Sequence, residues 1–294
     1  MPYRTDLAAE TARDFSEKNL LGLEQEDCEF GNLQVHTVRI IDRTTAEMVG
    51  KPVGEYITIT TPPLSSGLEI SEEELCHIAG QIAGLIPEEG LILVVGLGNN
   101  DITPDAIGPR TVHRVIATRH LSREIKEQSG LEKLRAVAVL SPGVLGQTGM
   151  ESCEIIHALV EDINPRAVLV IDALAARSAE RLCNTIQIAN SGISPGSGVM
   201  NSRKEVSLNT LGVPVVSIGV PTVVDAATLA GDLLGGEDCL EALRPVFEPG
   251  GRQMMITPRE IDTVISHACH ALSMSINKAL QPDMTLEEIS YLVS

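Results

Sequence analysis

The chain has 294 residues, 43% of them hydrophobic and 2% aromatic, with no tryptophan and a net charge of −18. Such a length makes one large domain or two small ones, and a core built from Val, Ile, Leu and Ala suits a buried parallel sheet flanked by helices. The 40 acidic against 22 basic residues argue against direct binding to phosphate backbones, and no apolar run approaches the ~18 residues that span a bilayer, so a soluble protein without a membrane partner is expected.

The opening MPYRTDLAAE is neither a secretory signal nor a transit peptide, since it lacks both an apolar run and a basic amphipathic stretch. Residues 1–30 are polar and read as loosely held. Leu33, Val35, Thr37 and Arg39 alternate with Gln34, His36, Val38 and Ile40, a strand-like stretch. Glu55–Thr61 is a second β-rich run, stopped by Pro62 and Pro63. Ser71 and Glu74 form a capping box, and Leu75, Ile78, Ile82 and Leu85 follow at helical spacing.

From residue 91 onward, apolar runs at 91–97, 136–140, 167–172 and 213–220 read as strands buried on both faces. Helical patterns at about Asp105–Ala117, Glu151–Glu161 and Thr222–Leu234 alternate with them. This βαβ rhythm predicts a mainly parallel sheet. Gly235–Gly251 reads as a surface connection. Thr257 is a plausible N-cap for a last helix that begins near Pro258 and Glu260 and runs to about Leu280. The six cysteines, at 28, 76, 153, 183, 239 and 269, form no CxxC pair and read as reduced, mostly buried thiols.

Sites in open α/β sheets lie beyond the C-terminal ends of the strands, and here those ends carry Gly-, Pro- and Asn-rich loops. GLGNND (96–101) starts like a dinucleotide fingerprint, but Asp101 replaces the third glycine. No P-loop, GxSxG elbow or HExxH occurs. His267 and His270 could share a helix face, yet no second cluster completes a metal-ligand set. Asp172 ends the apolar run AVLVID, where an acid is costly to desolvate unless something holds it. It is either neutralised by Arg177 or a catalytic acid at a strand end. Asp105 stands at a helix start, where capping is the simpler role. Two carboxylates brought together would split their pKa values, so that one could activate water while the other protonates a leaving group. Ser178 and the cysteines are the alternative nucleophiles.

RTDLAAE, VVGLGN, TPDAIGP, TRHL, PGVLGQTGME, INPRAVLVIDALAARSAER, TIQIANSGISPGSGVMNSRKE, LGVPVVSIGVPTVVDA and ITPREID follow one another over nearly the whole chain. Together they resemble the germination (spore) endopeptidase family of spore-forming bacteria. The resemblance implies an α/β fold of the phosphorylase/hydrogenase-maturation-peptidase type. It implies an atypical aspartic-type endopeptidase that degrades the small acid-soluble proteins coating spore DNA, with no cofactor, in the cytoplasm of the forespore and spore core. It also implies a homotetramer made as a zymogen. The family's catalytic aspartates match Asp105 and Asp172, which titrate as a pair.

TDLAAE has the pattern of the family's cleavage sites, an acid, a short apolar stretch and a second acid. The resemblance therefore implies that residues 1–6 are a propeptide removed by self-cleavage between Asp6 and Leu7, leaving 7–294 as a single peptidase domain. Arg177 and Arg203 are candidates, from charge, to receive an acidic substrate side chain. Longer family members carry a polar insertion where this chain has only the short 235–251 connection, which puts regulation or assembly through that insertion in doubt. Two other readings stand beside this one: a metal-dependent peptidase related to hydrogenase maturation proteases, and an inactive scaffold that has kept the fold.

Overall fold

The protein is described here by a computed structural model covering residues 5–13, 21–65, 70–128, 130–196, 203–234 and 254–293. Far from being loosely held, the described part of the first 30 residues is structured. Helix α1 (Ala8–Arg13) buries Ala8 and Ala12, and β1 (Leu23–Phe30) forms an antiparallel pair with β2 (Leu33–Ile40). β1 escapes a sequence reading because it is an edge strand with seven of its eight residues exposed, so it shows no apolar alternation. After α2 (Arg43–Val49), β3 (Gly54–Thr60) continues the meander.

The Ser71–Glu74 capping box is present and starts α3 (Glu72–Leu85). Its N-terminal amides are satisfied reciprocally while Leu75, Ile78 and Ile82 are buried. Then come β4 (Ile92–Gly96), a 3-10 turn (Thr103–Asp105), α4 (Ile107–Val112), α5 (Arg123–Gln128) and β5 (Val137–Leu140). The continuous helix expected over 105–117 is thus a 3-10 turn followed by a short helix. Further along lie α6 (Leu145–Thr148), α7 (Ser152–Ile163), β6 (Ala167–Ala176), β7 (Thr185–Ala189) and α8 (Leu208–Leu211).

β8 runs from Val215 to Asp225, so the helix expected from Thr222 begins only at Ala226, as α9 (Ala226–Leu234). Val223 and Val224 stay extended because they pair with Ala175 and Ala176 on β6, and Val224 pairs again with Ile256 of β9 (Met255–Ile256). The last elements are α10 (Ile261–Leu280) and α11 (Leu286–Val293). Thr257 does not cap α10. Its hydroxyl donates to the Thr222 carbonyl at 3.0 Å, and the residue before the helix is Glu260. The connection at 235–251, with Cys239, and the tip of the glycine loop at 197–202 lie outside the described residues.

Among the described residues all nine strands belong to one sheet ordered β1-β2-β3-β7-β8-β6-β4-β5, with β9 attached to β8. β8, β6, β4 and β5 are parallel, as the βαβ rhythm predicts. The N-terminal meander joins them through β7, which is antiparallel to both β3 and β8, so the sheet as a whole is mixed. Both faces of the parallel part are covered. Ile92, Val94, Leu169 and Ile171 pack on the side of α3, α4 and α10, while Leu93, Val95, Val168 and Val170 pack on the side of α7 and α8. Strand alternation distributes these side chains, and burial on both faces explains why the runs read as continuously apolar.

Candidate active site

β6 outruns its neighbour. β4 ends at Gly96, opposite Ile171, while β6 continues to Ala176. Beyond Ile171 one edge of β6 still pairs with β8, and the N-terminal segment takes the other. Asp6 N–H donates to the Ala175 carbonyl at 2.9 Å, and Ala175 N–H donates to Asp6 Oδ2 at 2.9 Å. Arg177 N–H and Ser178 N–H donate to the two carboxylate oxygens of Glu10 at 2.9 and 3.0 Å. Asp6 thus docks on the strand edge that β4 leaves vacant, just before α1 begins at Ala8. TDLAAE is held at both of its acids by main-chain amides of β6 and the turn after it.

Leu7 is fully buried against Leu174 and Ala176. Period-two alternation puts Asp172 on the same face of β6 as these two. Asp172 is 6% exposed, and its Oδ1 accepts the Ala173 N–H at 2.9 Å. Its pKa is pushed well above the ordinary carboxylate value, first by burial, then by the charge of Asp105, with a further upward push from Asp6. Arg177 is not among the groups that set Asp172's protonation. Its backbone amide donates to Glu10.

Asp105 sits at the end of the 3-10 turn, partly buried, and accepts the Asn99 N–H at 2.8 Å. It does not cap α4, whose preceding residue, Ala106, makes no side-chain capping bond. Burial raises its pKa against the opposing effect of the Asn99 amide. The GLGN loop makes this geometry possible. Gly98 has φ +111°, and a Cβ there would lie 2.1 Å from the Asp105 carbonyl oxygen. The loop's glycines serve close backbone packing of the aspartate rather than a nucleotide. The Thr222 hydroxyl, donating to Pro104 O at 2.7 Å, ties the turn to β8.

Asp6, Asp105 and Asp172 line one cavity of about 1280 Å3, with Lys51, Gln187 and Arg203 also in its wall. Arg203 lies 3.7 Å from Glu151 across that wall. Arg177 is not part of the lining. Neither Ser178 nor any described cysteine lines this cavity, and Cys28 and Cys76 are exposed elsewhere. Ser178 Oγ accepts the Glu180 N–H at 3.3 Å, and Cys153, Cys183 and Cys269 are buried thiols whose pKa burial raises, that of Cys183 to about 12. His267 Nδ1 lies 2.6 Å from the Leu64 carbonyl. Among the described residues no three His, Cys, Asp or Glu side chains converge as a metal-ligand set.

Sequence reasoning missed Lys51 and Gln187. Lys51 Nζ donates to the Asp6 carbonyl at 2.9 Å and to the Thr5 carbonyl at 3.4 Å. Gln187, 8% exposed, donates through Nε2 to the Asp6 carbonyl at 3.1 Å and accepts the Ala8 N–H through Oε1 at 2.7 Å. A glutamine inside the apolar strand TIQIA was the available signal, since a buried amide needs partners.

A family model described as germination protease matches residues 4–235. The chain is 40% identical to the germination protease of Caldanaerobacter subterraneus subsp. tengcongensis, over 99% of this chain and 98% of that protein. It is 39% identical to the germination protease of Clostridium perfringens over 98% of both. Against the solved NiFe hydrogenase maturation protease HycI from Thermococcus kodakarensis, the TM-score is 0.38 at 16% identity, covering 68% of this chain and 98% of that one. No described helix is long and apolar enough to cross a membrane.

Proposed function

The chain belongs to the germination protease family, a peptidase of spore germination, and from that premise we propose that it is a zymogen that cuts itself between Asp6 and Leu7 by a two-carboxylate mechanism. The observation that carries this reading is the docking of Asp6 on the edge of β6, in the cavity that Asp105 and Asp172 also line. In the reaction, an ionised aspartate takes a proton from water as it attacks the Asp6 carbonyl carbon. The protonated partner delivers a proton to the Leu7 nitrogen as the C–N bond breaks. The raised pKa of Asp172, from burial and from the charge of Asp105, supports a pair that gives up its two protons in separate steps. An acidic residue before the cut repels a fully ionised pair, so mild acid favours the reaction.

Small acid-soluble spore proteins carrying the same acid–apolar–acid pattern would occupy the β6 edge once residues 1–6 have left. The mature enzyme would then be the single domain 7–294, acting as a homotetramer in the forespore and spore core. These points rest on the family resemblance.

The test is intact mass after incubation in mild acid and at neutrality, for wild type, Asp105→Asn and Asp172→Asn. Loss of Met1–Asp6 in acid, in wild type only, is the expected result. Cleavage that persists in either variant removes that aspartate from the mechanism, and no cleavage in wild type removes the self-processing reading.

A further inference from the structure

The carbonyl of Asp6 accepts two side-chain hydrogen bonds. Two side-chain donors from different parts of the fold converge on it: Lys51 Nζ at 2.9 Å and Gln187 Nε2 at 3.1 Å. Lys51 follows the left-handed Gly50 that ends α2, so the chain turns there and projects the lysine into the cavity wall. Gln187 sits in the middle of β7, hydrogen-bonded in register between Thr58 of β3 and Gly219 of β8. One donor thus comes from a loop and the other from the sheet interior.

Nothing about anchoring a propeptide requires this arrangement. The two bonds between Asp6 and Ala175 and the Glu10 bonds to Arg177 and Ser178 already hold the segment. The leaving side of the same peptide bond is separately held, with Leu7 N–H donating to Thr5 Oγ1 at 2.9 Å, and that hydroxyl donating to Glu10.

We propose that Lys51 and Gln187 are the oxyanion-stabilising pair of this peptidase, gripping the carbonyl oxygen of the bond to be cut. This deepens, and rests on, the reading of Asp6–Leu7 as the cleaved bond. When the oxygen of water bonds to the Asp6 carbonyl carbon, the carbonyl π electrons move onto the oxygen that both donors touch. When the C–N bond breaks, they return to re-form C=O, the electron pair of the broken bond goes to the Leu7 nitrogen, and that nitrogen takes its proton from the aspartate pair. Donors at 2.7–3.1 Å from the developing oxyanion are the usual geometry for such stabilisation.

Gln187 adds orientation. By binding the Asp6 carbonyl and the Ala8 amide with one side-chain amide, it brackets Leu7 and fixes how the 6–7 and 7–8 peptides are oriented to one another. Lys51 adds charge in a site where burial lowers its pKa while the charges of Asp6 and Glu10 oppose that shift. Because both donors belong to the peptidase rather than to the propeptide, they meet the corresponding carbonyl of any substrate laid along β6.

The experiment measures the first-order rate of Met1–Asp6 release in the full chain for wild type, Lys51→Met, Lys51→Arg and Gln187→Glu. Hydrogen exchange at Asp6 and Ala175 is followed in parallel. Gln187→Glu keeps an oxygen for the Ala8 amide and puts a carboxylate oxygen where the donor was. The expected result is a fall of ~10²-fold in rate for Lys51→Met and for Gln187→Glu, with the Asp6 and Ala175 amides still protected, and partial recovery in Lys51→Arg.

Unchanged rates overturn the proposal. So does a slow variant whose segment has come off β6, since the residue is then an anchor. If Lys51→Met does not fold, Gln187→Glu decides alone by the same criteria. A wild-type chain that never releases Met1–Asp6 is a different failure, because it overturns the cleavage reading itself and the proposal with it.

Discussion

Asp6 and Ala175 exchange two hydrogen bonds of 2.9 Å each, one from the Asp6 amide to the Ala175 carbonyl and one from the Ala175 amide back to the Asp6 carboxylate. The second replaces a ladder bond with a side-chain bond. The strand edge therefore engages the acidic side chain at this place as well as its backbone amide. Three residues earlier on the same strand is Asp172, so one element both seats the segment and carries a candidate catalytic acid.

Replacing Asp172 is expected to stabilise the fold at neutral pH. Burial first, then the charge of Asp105 and that of Asp6, raise its folded pKa above the unfolded value of ~3.9. The folded state therefore binds more protons than the unfolded state between those two values. Stability from this group is fully present below the unfolded value and is lost as pH rises through the folded one. Asn keeps an oxygen for the Ala173 amide and carries no charge. Calorimetry should find Asp172→Asn melting above wild type at about pH 7, with the gap closing towards the unfolded carboxylate range near ~4.

Gly98→Ala should both destabilise the protein and abolish activity. A Cβ would sit 2.1 Å from the Asp105 carbonyl oxygen, on a backbone at φ +111°. The cost should be about 2 kcal/mol or more. The loop must move, and the Asn99–Asp105 bond that orients the carboxylate goes with it. Denaturant unfolding gives the first quantity and the rate of Met1–Asp6 release the second.

Glu10→Ala should loosen the N-terminal segment. It leaves the Arg177 and Ser178 amides without the acceptor they have in the fold, a loss of about 1–3 kcal/mol. Faster hydrogen exchange at 177 and 178, and a fall in self-cleavage of roughly tenfold or more, are the expected outcomes. Glu10→Gln, which keeps an oxygen acceptor, should fall between that variant and wild type.

Away from the site, Asn277→Ala should cost about 2–4 kcal/mol. Asn277 is 1% exposed on α10, donates to the Arg114 carbonyl at 2.8 Å and accepts the Ile116 amide at 2.9 Å. Removing it strands a donor and an acceptor beneath the helix. Urea unfolding of the two proteins checks the figure.

By itself the sequence determined the features that depend on neighbours along the chain. Ser71 and Glu74 lie within one turn, so their reciprocal cap is written in four residues. The runs in β4, β5, β6 and β8 are apolar on both faces, and only a covered parallel sheet tolerates that. Asp172 stood out because an acid at the end of such a run is costly wherever it lies. Tertiary structure decided what depends on pairing. Val223 and Val224 are extended because Ala175 and Ala176 hold them, not because of their own spacing. Asp105 binds Asn99 instead of capping a helix because glycine at 98 lets the loop fold back. Lys51 and Gln187 reach the Asp6 carbonyl across 45 and 181 residues of chain. No local periodicity records a contact of that range, because its geometry exists only once the sheet has closed around the segment.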